Sequence, residues 1–128
     1  MSLLKTSRIN LMERLAKHLK QDVALQAEGF TSGPGELQKV GKRFIRVNGH
    51  YYVPSVLQEI VLLQPNGKAQ SDRSELVNIR TVYWGVFPAA LVRNGTDFIE
   101  VIVAREDEEE ELNILIPLNK VIGIESRE

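Results

Sequence analysis

The chain has 128 residues and a formal net charge of −1, room for one ordinary domain or two very small ones. Its 43% apolar and 26% charged residues suit a globular fold, no apolar run reaches the roughly 18–20 residues of a membrane span, and Lys5 and Arg8 interrupt any leader-like stretch. The absence of cysteine excludes disulfides and thiolate chemistry and fits a reducing compartment, so a cytoplasmic protein with no membrane partner is expected.

In chain order, residues 7–20 predict a helix. Ile9, Met12, Ala16 and Leu19 recur at helical spacing beside Leu11 and Leu15, Ser7 is the expected N-cap, and Arg14, Lys17 and Lys20 lie off the apolar stripe. Such a stripe reads as a lid on a core rather than a membrane-surface helix. From Asp22 the period becomes that of a strand, with Val23, Leu25 and Ala27 alternating. Gly29, Gly33, Pro34 and Gly35 break the chain without the order of a phosphate loop, so a turn is expected there. Strands follow near 35–40 and 42–47. Asn48-Gly49 then predicts a tight hairpin into Tyr51-Tyr52-Val53, Pro54 ends that strand, and 60–63 forms a buried one. Residues 64–75 are polar and carry Pro65-Asn66-Gly67, a linker composition. Strands resume near 76–86, 88–93, 97–104, 112–117 and 121–125, with Asn94-Gly95 marking another turn.

The chain also repeats itself. Residues 23–47 and 77–101 align without a gap, with 7 identities in 25 positions, where chance gives roughly one or two. The strongest part reads Leu37-x-x-x-Gly41-x-x-Phe44-Ile45-x-Val47 and again Leu91-x-x-x-Gly95-x-x-Phe98-Ile99-x-Val101. A fixed period signals one supersecondary unit used twice. The units differ after Val47: 7 residues lead to Pro54, whereas 16 lead from Val101 to Pro117. The extra segment centres on Arg105 to Glu111, six consecutive acids after an arginine, which reads as a solvated hairpin tip rather than a calcium loop.

The order of helix, strand, glycine bend, three further strands, an apolar-Pro step and a last strand resembles the Sm-like small β-barrel. Ile114-Leu115-Ile116-Pro117 through Ile124 looks like the last two strands of such a barrel, and Val53-Pro54 through Leu63 is its counterpart. The resemblance implies a mainly β fold of two tandem five-stranded Sm-like barrels with an N-terminal α-helix: residues 1–63, a linker over 64–75, and 76–128 with the acidic hairpin. It points toward the Sm-like proteins of endospore-forming bacteria, some associated with the spore coat.

The family's nucleotide chemistry does not carry over. RNA-binding Sm proteins place an Asp and an Asn after the glycine of the first motif and an Arg-Gly near the last strand. Here those positions hold Gly41 and Ile45, then Gly95 and Ile99, and no Arg-Gly follows either unit. An isoleucine cannot read a uracil edge by hydrogen bonding. A looser nucleic-acid surface is available in Lys39, Lys42, Arg43, Arg46 and Tyr51, because basic and aromatic residues interleaved on a sheet hold single strands by phosphate contacts and stacking. Phe30 and Trp84, aligned in the repeat, are expected to seal a contact between the units rather than to stack on bases.

Nothing points to catalysis. His18 and His50 lack partners at triad or ligand spacing and read as surface residues, Ser55 and Ser74 have no nucleophile-elbow context, and no metal or cofactor motif occurs. Charge is polarised: residues 1–50 hold nine Lys/Arg and four Asp/Glu, whereas 51–128 hold seven and thirteen. The expectation is a non-catalytic structural or interaction module, a homo-oligomer or protein binder that uses exposed strand edges near 43–47 and 98–103. Single-stranded RNA or DNA binding is the alternative.

Overall fold

The computed structural model describes residues 6–63, 74–104 and 111–127. Helix α1 (Leu11–Ala16) is shorter than the periodicity suggests. Asn10, not Ser7, caps it: its side chain accepts from the Glu13 N–H while the Glu13 carboxylate accepts from the Asn10 N–H, a reciprocal pair that fixes the first turn. Leu11, Leu15 and His18 face inward. Leu19 is exposed, because the chain leaves the helix after Ala16 and Lys20 takes a left-handed conformation (φ 73°).

The described strands are β1 (Asp22–Ala27), β2 (Phe30–Thr31), β3 (Gly35–Val40), β4 (Ile45–Val47), β5 (His50–Tyr52), β6 (Glu59–Leu62), β7 (Glu75–Thr81), β8 (Gly85–Asn94), β9 (Phe98–Val103), β10 (Leu112–Pro117) and β11 (Val121–Ser126). They form one open antiparallel sheet in the order β11-β7-β8-β9-β10-β6-β1-β3-β4-β5, with β2 paired beside β1. The two expected tandem barrels are not what this order shows: the strands of both units belong to one open sheet. Within 22–62 the order is β6-β1-β3-β4-β5, and within 75–126 it is β11-β7-β8-β9-β10. In both stretches the last strand lies beside the first, and the halves join where β10 pairs with β6.

Local chemistry explains these elements. The Gly-x-x-Phe motif is a closing turn in each half: the Gly41 N–H bonds the Phe44 carbonyl at 2.9 Å, and the Gly95 N–H bonds the Phe98 carbonyl at 2.9 Å. Asn48 and Gly49 both take positive φ (50° and 83°), the two-residue turn whose twist suits a hairpin. The turn between β7 and β8 falls at Val82–Trp84 rather than at Phe87, and β8 runs through Pro88. Proline is tolerated there because β8 pairs with β9 only from Ala90 onward, leaving Pro88 flanked by β7 alone.

Alternation gives way to continuous burial at the junction. Phe98 and Leu115 pack with Leu11, Leu15, Leu25, Leu37, Ile45 and Ile60 in one core. Ile99, Val101, Ile114 and Ile116 pack with Val77, Ile79 and Leu91 in the other. Strands β9 and β10 carry side chains into both cores, so they read as apolar runs interrupted only by Glu100 and Asn113. The expected edge at 98–103 is thus interior, flanked by β8 and β10, and β4 is covered by β5. Among the described residues the strands with a neighbour on one side only are β5, β11 and the two-residue β2, which pairs with β1 alone.

The helix clasps the second half. The Leu11 N–H donates to Asp97 Oδ1 (2.7 Å), the Ser7 N–H to the Asn94 carbonyl (2.7 Å) and the Thr96 N–H to the Ile9 carbonyl (3.0 Å). Arg14, expected on the solvent side, instead reaches Glu100. No helix among the described residues is long and apolar enough to cross a membrane. The linker over 64–75 lies almost wholly outside the described residues, as does the acidic run from Arg105 to Glu110.

Candidate functional site on the β4–β5 edge

The two hairpins around β4 assemble the basic and aromatic residues. The Gly41–Phe44 turn lifts Lys42 and Arg43 to the tip of β3–β4, and both are exposed. Register then sets Lys39 opposite Arg46, and Arg46 opposite Tyr51. Like charges directly across a ladder repel. Arg46 finds compensation over the Tyr51 ring, with Cζ 5.9 Å from its centroid, within cation–π range. Tyr51 is 58% exposed and meets Phe44, itself 49% exposed, edge-on at 6.5 Å. An open cavity of about 500 Å³ adjoins this patch, lined by Met12, Lys42, Arg43, Phe44, Pro54 and Asp97 among others. Gly35 holds the hairpin close: a Cβ there would lie 2.5 Å from Asn48 Nδ2.

The structure thus brings Lys42, Arg43, Arg46 and Tyr51 together, with Lys39 one ladder step away. Tyr52, the next residue, is turned away from solvent and packs on Phe30 at 5.7 Å. Trp84 stacks on Phe87 at 4.6 Å. Phe30 and Trp84 are 40% and 43% exposed, and neither lies on β6 or β10, the strands that join the halves. Ile45 and Ile99 are fully buried core residues.

Sequence reasoning missed three features. Phe44 is one; its motif partner Phe98 is fully buried, and the motif itself cannot tell them apart. The second is a buried ionic cluster. Glu100 is 3% exposed and accepts from Arg14 Nε (2.8 Å) and Nη2 (3.0 Å), Arg93 Nε (3.2 Å) and Asn113 Nδ2 (3.2 Å). Burial would raise its pKa, but the hydrogen bonds and charge of Arg14, with help from Asn113 and Arg93, hold it below the ordinary carboxylate value. An acid inside the run Phe98-Ile-Glu-Val-Ile-Val is the available signal. The third is His18, expected at the surface. It is 1% exposed, and its Nε2–H donates to the Asp22 carbonyl at 2.8 Å. Burial lowers its pKa, against the backbone hydrogen bonds to Asp22 and Leu63.

Chemically, the edge offers exposed cations, two exposed rings set edge to face and, among the described residues, strand groups with no strand beyond them. Among the described residues no group of three or more His, Asp or Glu gathers as metal ligands would. No family model, curated protein or solved structure matches the chain.

Proposed function

We propose that the protein is a non-catalytic assembly module, built from two Sm-like β units, that associates with itself through its sheet edges. The observation that carries this reading is the open sheet: one contact between the halves is made edge to edge, by β10 on β6, and among the described residues β5 and β11 each have a neighbouring strand on one side only. Unpaired N–H and C=O groups along a strand are a template for another strand. The matching strand orders of the two halves support the idea of a duplicated unit. Light scattering over a concentration and salt series tests the reading. Association that weakens with salt is expected, because the halves carry opposite charge; a monomer at high concentration in dilute salt refutes it.

The second reading, single-stranded RNA or DNA binding, is favoured by one observation: Arg46 lies over the exposed ring of Tyr51, which meets Phe44, and Lys42 and Arg43 line the same open cavity as Phe44. Filter binding with mixed-sequence single strands at low salt decides it. Phosphate attraction is strongest there, so failure to bind under those conditions removes the reading.

A further inference from the structure

We infer that the cavity between α1, the β3–β4 turn and the connection from β5 to β6 binds a small organic monoanion, a carboxylate carried on an apolar body. This goes beyond the self-association reading and does not depend on it. The two copies of the Gly-x-x-Phe turn differ in what fills the space beside them.

In the second half, Gly95-Thr96-Asp97-Phe98 is covered by the chain's own N-terminal segment. The Thr96 N–H donates to the Ile9 carbonyl at 3.0 Å, and Asp97 Oδ1 accepts from the Leu11 N–H at 2.7 Å. Gly95 is buried, and a Cβ on it would lie 2.8 Å from the Ile9 carbonyl. The Phe98 ring is sealed in the core.

In the first half, Gly41-Lys42-Arg43-Phe44 makes the same closing hydrogen bond, but the turn is open. Gly41 is exposed, and a Cβ on it would meet the Phe44 carbonyl alone, at 3.4 Å. Phe44 is half exposed. The Lys42 N–H, which matches that of Thr96, meets no acceptor among the described residues, and neither the Lys42 nor the Arg43 side chain meets a carboxylate there. Where Asp97 accepts, Arg43 can only donate. The open turn therefore offers an amide, an ammonium and a guanidinium, all donors, and its complement is a group made of acceptors.

The space beside the turn measures about 500 Å³, within the range of small-molecule sites. Leu11 and Met12 of α1, Phe44, Val53 and Pro54 give it apolar walls. These suit an aliphatic or aromatic body, and the flexible thioether of methionine adapts to its outline. Lys42 and Arg43 bring two positive charges to the lining and Asp97 one negative charge. The balance is a single positive charge, which matches a monoanion better than a dianionic phosphate. The planar fork of Arg43 fits both oxygens of a carboxylate.

Heteronuclear NMR of the isotope-labelled full chain, titrated with phenylbutyrate, tests the site. Saturable shifts are expected at the amides of Met12, Lys42, Arg43 and Phe44. Phenylbutanol, the same body without charge, and acetate, the head alone, should each bind at least about tenfold more weakly, the worth of one charge-assisted hydrogen bond. Lys42→Gln with Arg43→Gln should weaken phenylbutyrate by about tenfold or more and leave phenylbutanol unchanged, a difference that a merely structural role for these exposed residues would not produce. Phe44→Ser should weaken both. No saturable shift by about 10 mM, a concentration that fills a millimolar site, overturns the proposal, as do shifts confined to residues away from the cavity. Equal binding of phenylbutyrate and phenylbutanol overturns the role of charge, and equal binding of phenylbutyrate and acetate overturns the apolar body. Tighter binding of phenyl phosphate than of phenylbutyrate overturns the preference for a monoanion. All these outcomes are read apart from light scattering, so failure here leaves self-association standing, and a monomeric protein leaves the cavity intact.

Discussion

Replacing Arg14 by Met tests whether the helix is fastened to the second half by charge. A helix of six residues does not persist on its own in water, so α1 depends on what it touches. Arg14 is 13% exposed and grips both oxygens of a carboxylate that is 3% exposed. Removing one partner of a buried pair costs about 3–5 kcal/mol, because the other charge is left desolvated. Here Arg93 and Asn113 keep their bonds to Glu100, which puts the expected loss at the lower end, about 3 kcal/mol. For a chain of 128 residues that corresponds to a fall in Tm of roughly 10 °C. Urea unfolding followed by circular dichroism measures it. The double variant Arg14→Met, Glu100→Gln should recover part of the loss, since a neutral amide removes the unpaired buried charge while its oxygen still accepts from Asn113. A loss under about 1 kcal/mol for Arg14→Met, the size of a surface pair, would refute the clasp, as would a double variant no more stable than the single.

Three further outcomes follow from the same geometry. Gly95→Ala should cost about 2–3 kcal/mol, because the new Cβ would meet the buried Phe98 ring at 2.2 Å and the Ile9 carbonyl at 2.8 Å, whereas Gly41→Ala, 3.4 Å from the Phe44 carbonyl, should cost under about 1 kcal/mol; equal melting temperatures would contradict the difference. Phe98→Ala should lose about 3–5 kcal/mol and Phe44→Ala, measured on dilute monomer, under about 1 kcal/mol, with denaturant midpoints as the check. Stability should also fall in two steps on acidification. His18 has a folded pKa below 6.5, so the unfolded chain takes up its proton first and stability drops as pH falls below about 6.5. Glu100 has a folded pKa below 4.5, so its contribution is present above that value and is lost as pH falls further. His18→Gln should remove the upper step alone, and a stability profile flat from pH 7 to 5 in the parent would count against the buried neutral imidazole.

What the sequence made legible was the part set by near neighbours. The Asn48-Gly49 hairpin and the Asn94-Gly95 turn depend on a few adjacent torsions, and they stand where the pattern puts them, whereas β4 begins at Ile45 and not near 42 because Gly41 to Phe44 forms a turn. Polar residues that become buried were illegible, because their partners are remote: Arg14 and Glu100 lie 86 residues apart, and no local period announces that a basic residue on a short helix will be enclosed. The length of α1 was misread for a related reason. Apolar spacing continues to Leu19, but the last turn is given up to Lys20, whose N–H bonds the Leu37 carbonyl at 2.7 Å.

The edges show the same limit most sharply. Phe44 and Phe98 occupy one motif and close one kind of turn, yet one is half exposed and the other sealed. Nothing within the motif separates them. The difference arises one strand further along, where β10 finds β6 and β5 finds no partner among the described residues. Burial at that position is therefore a property of sheet order. Both motifs carry phenylalanine, so residue type has no part in it.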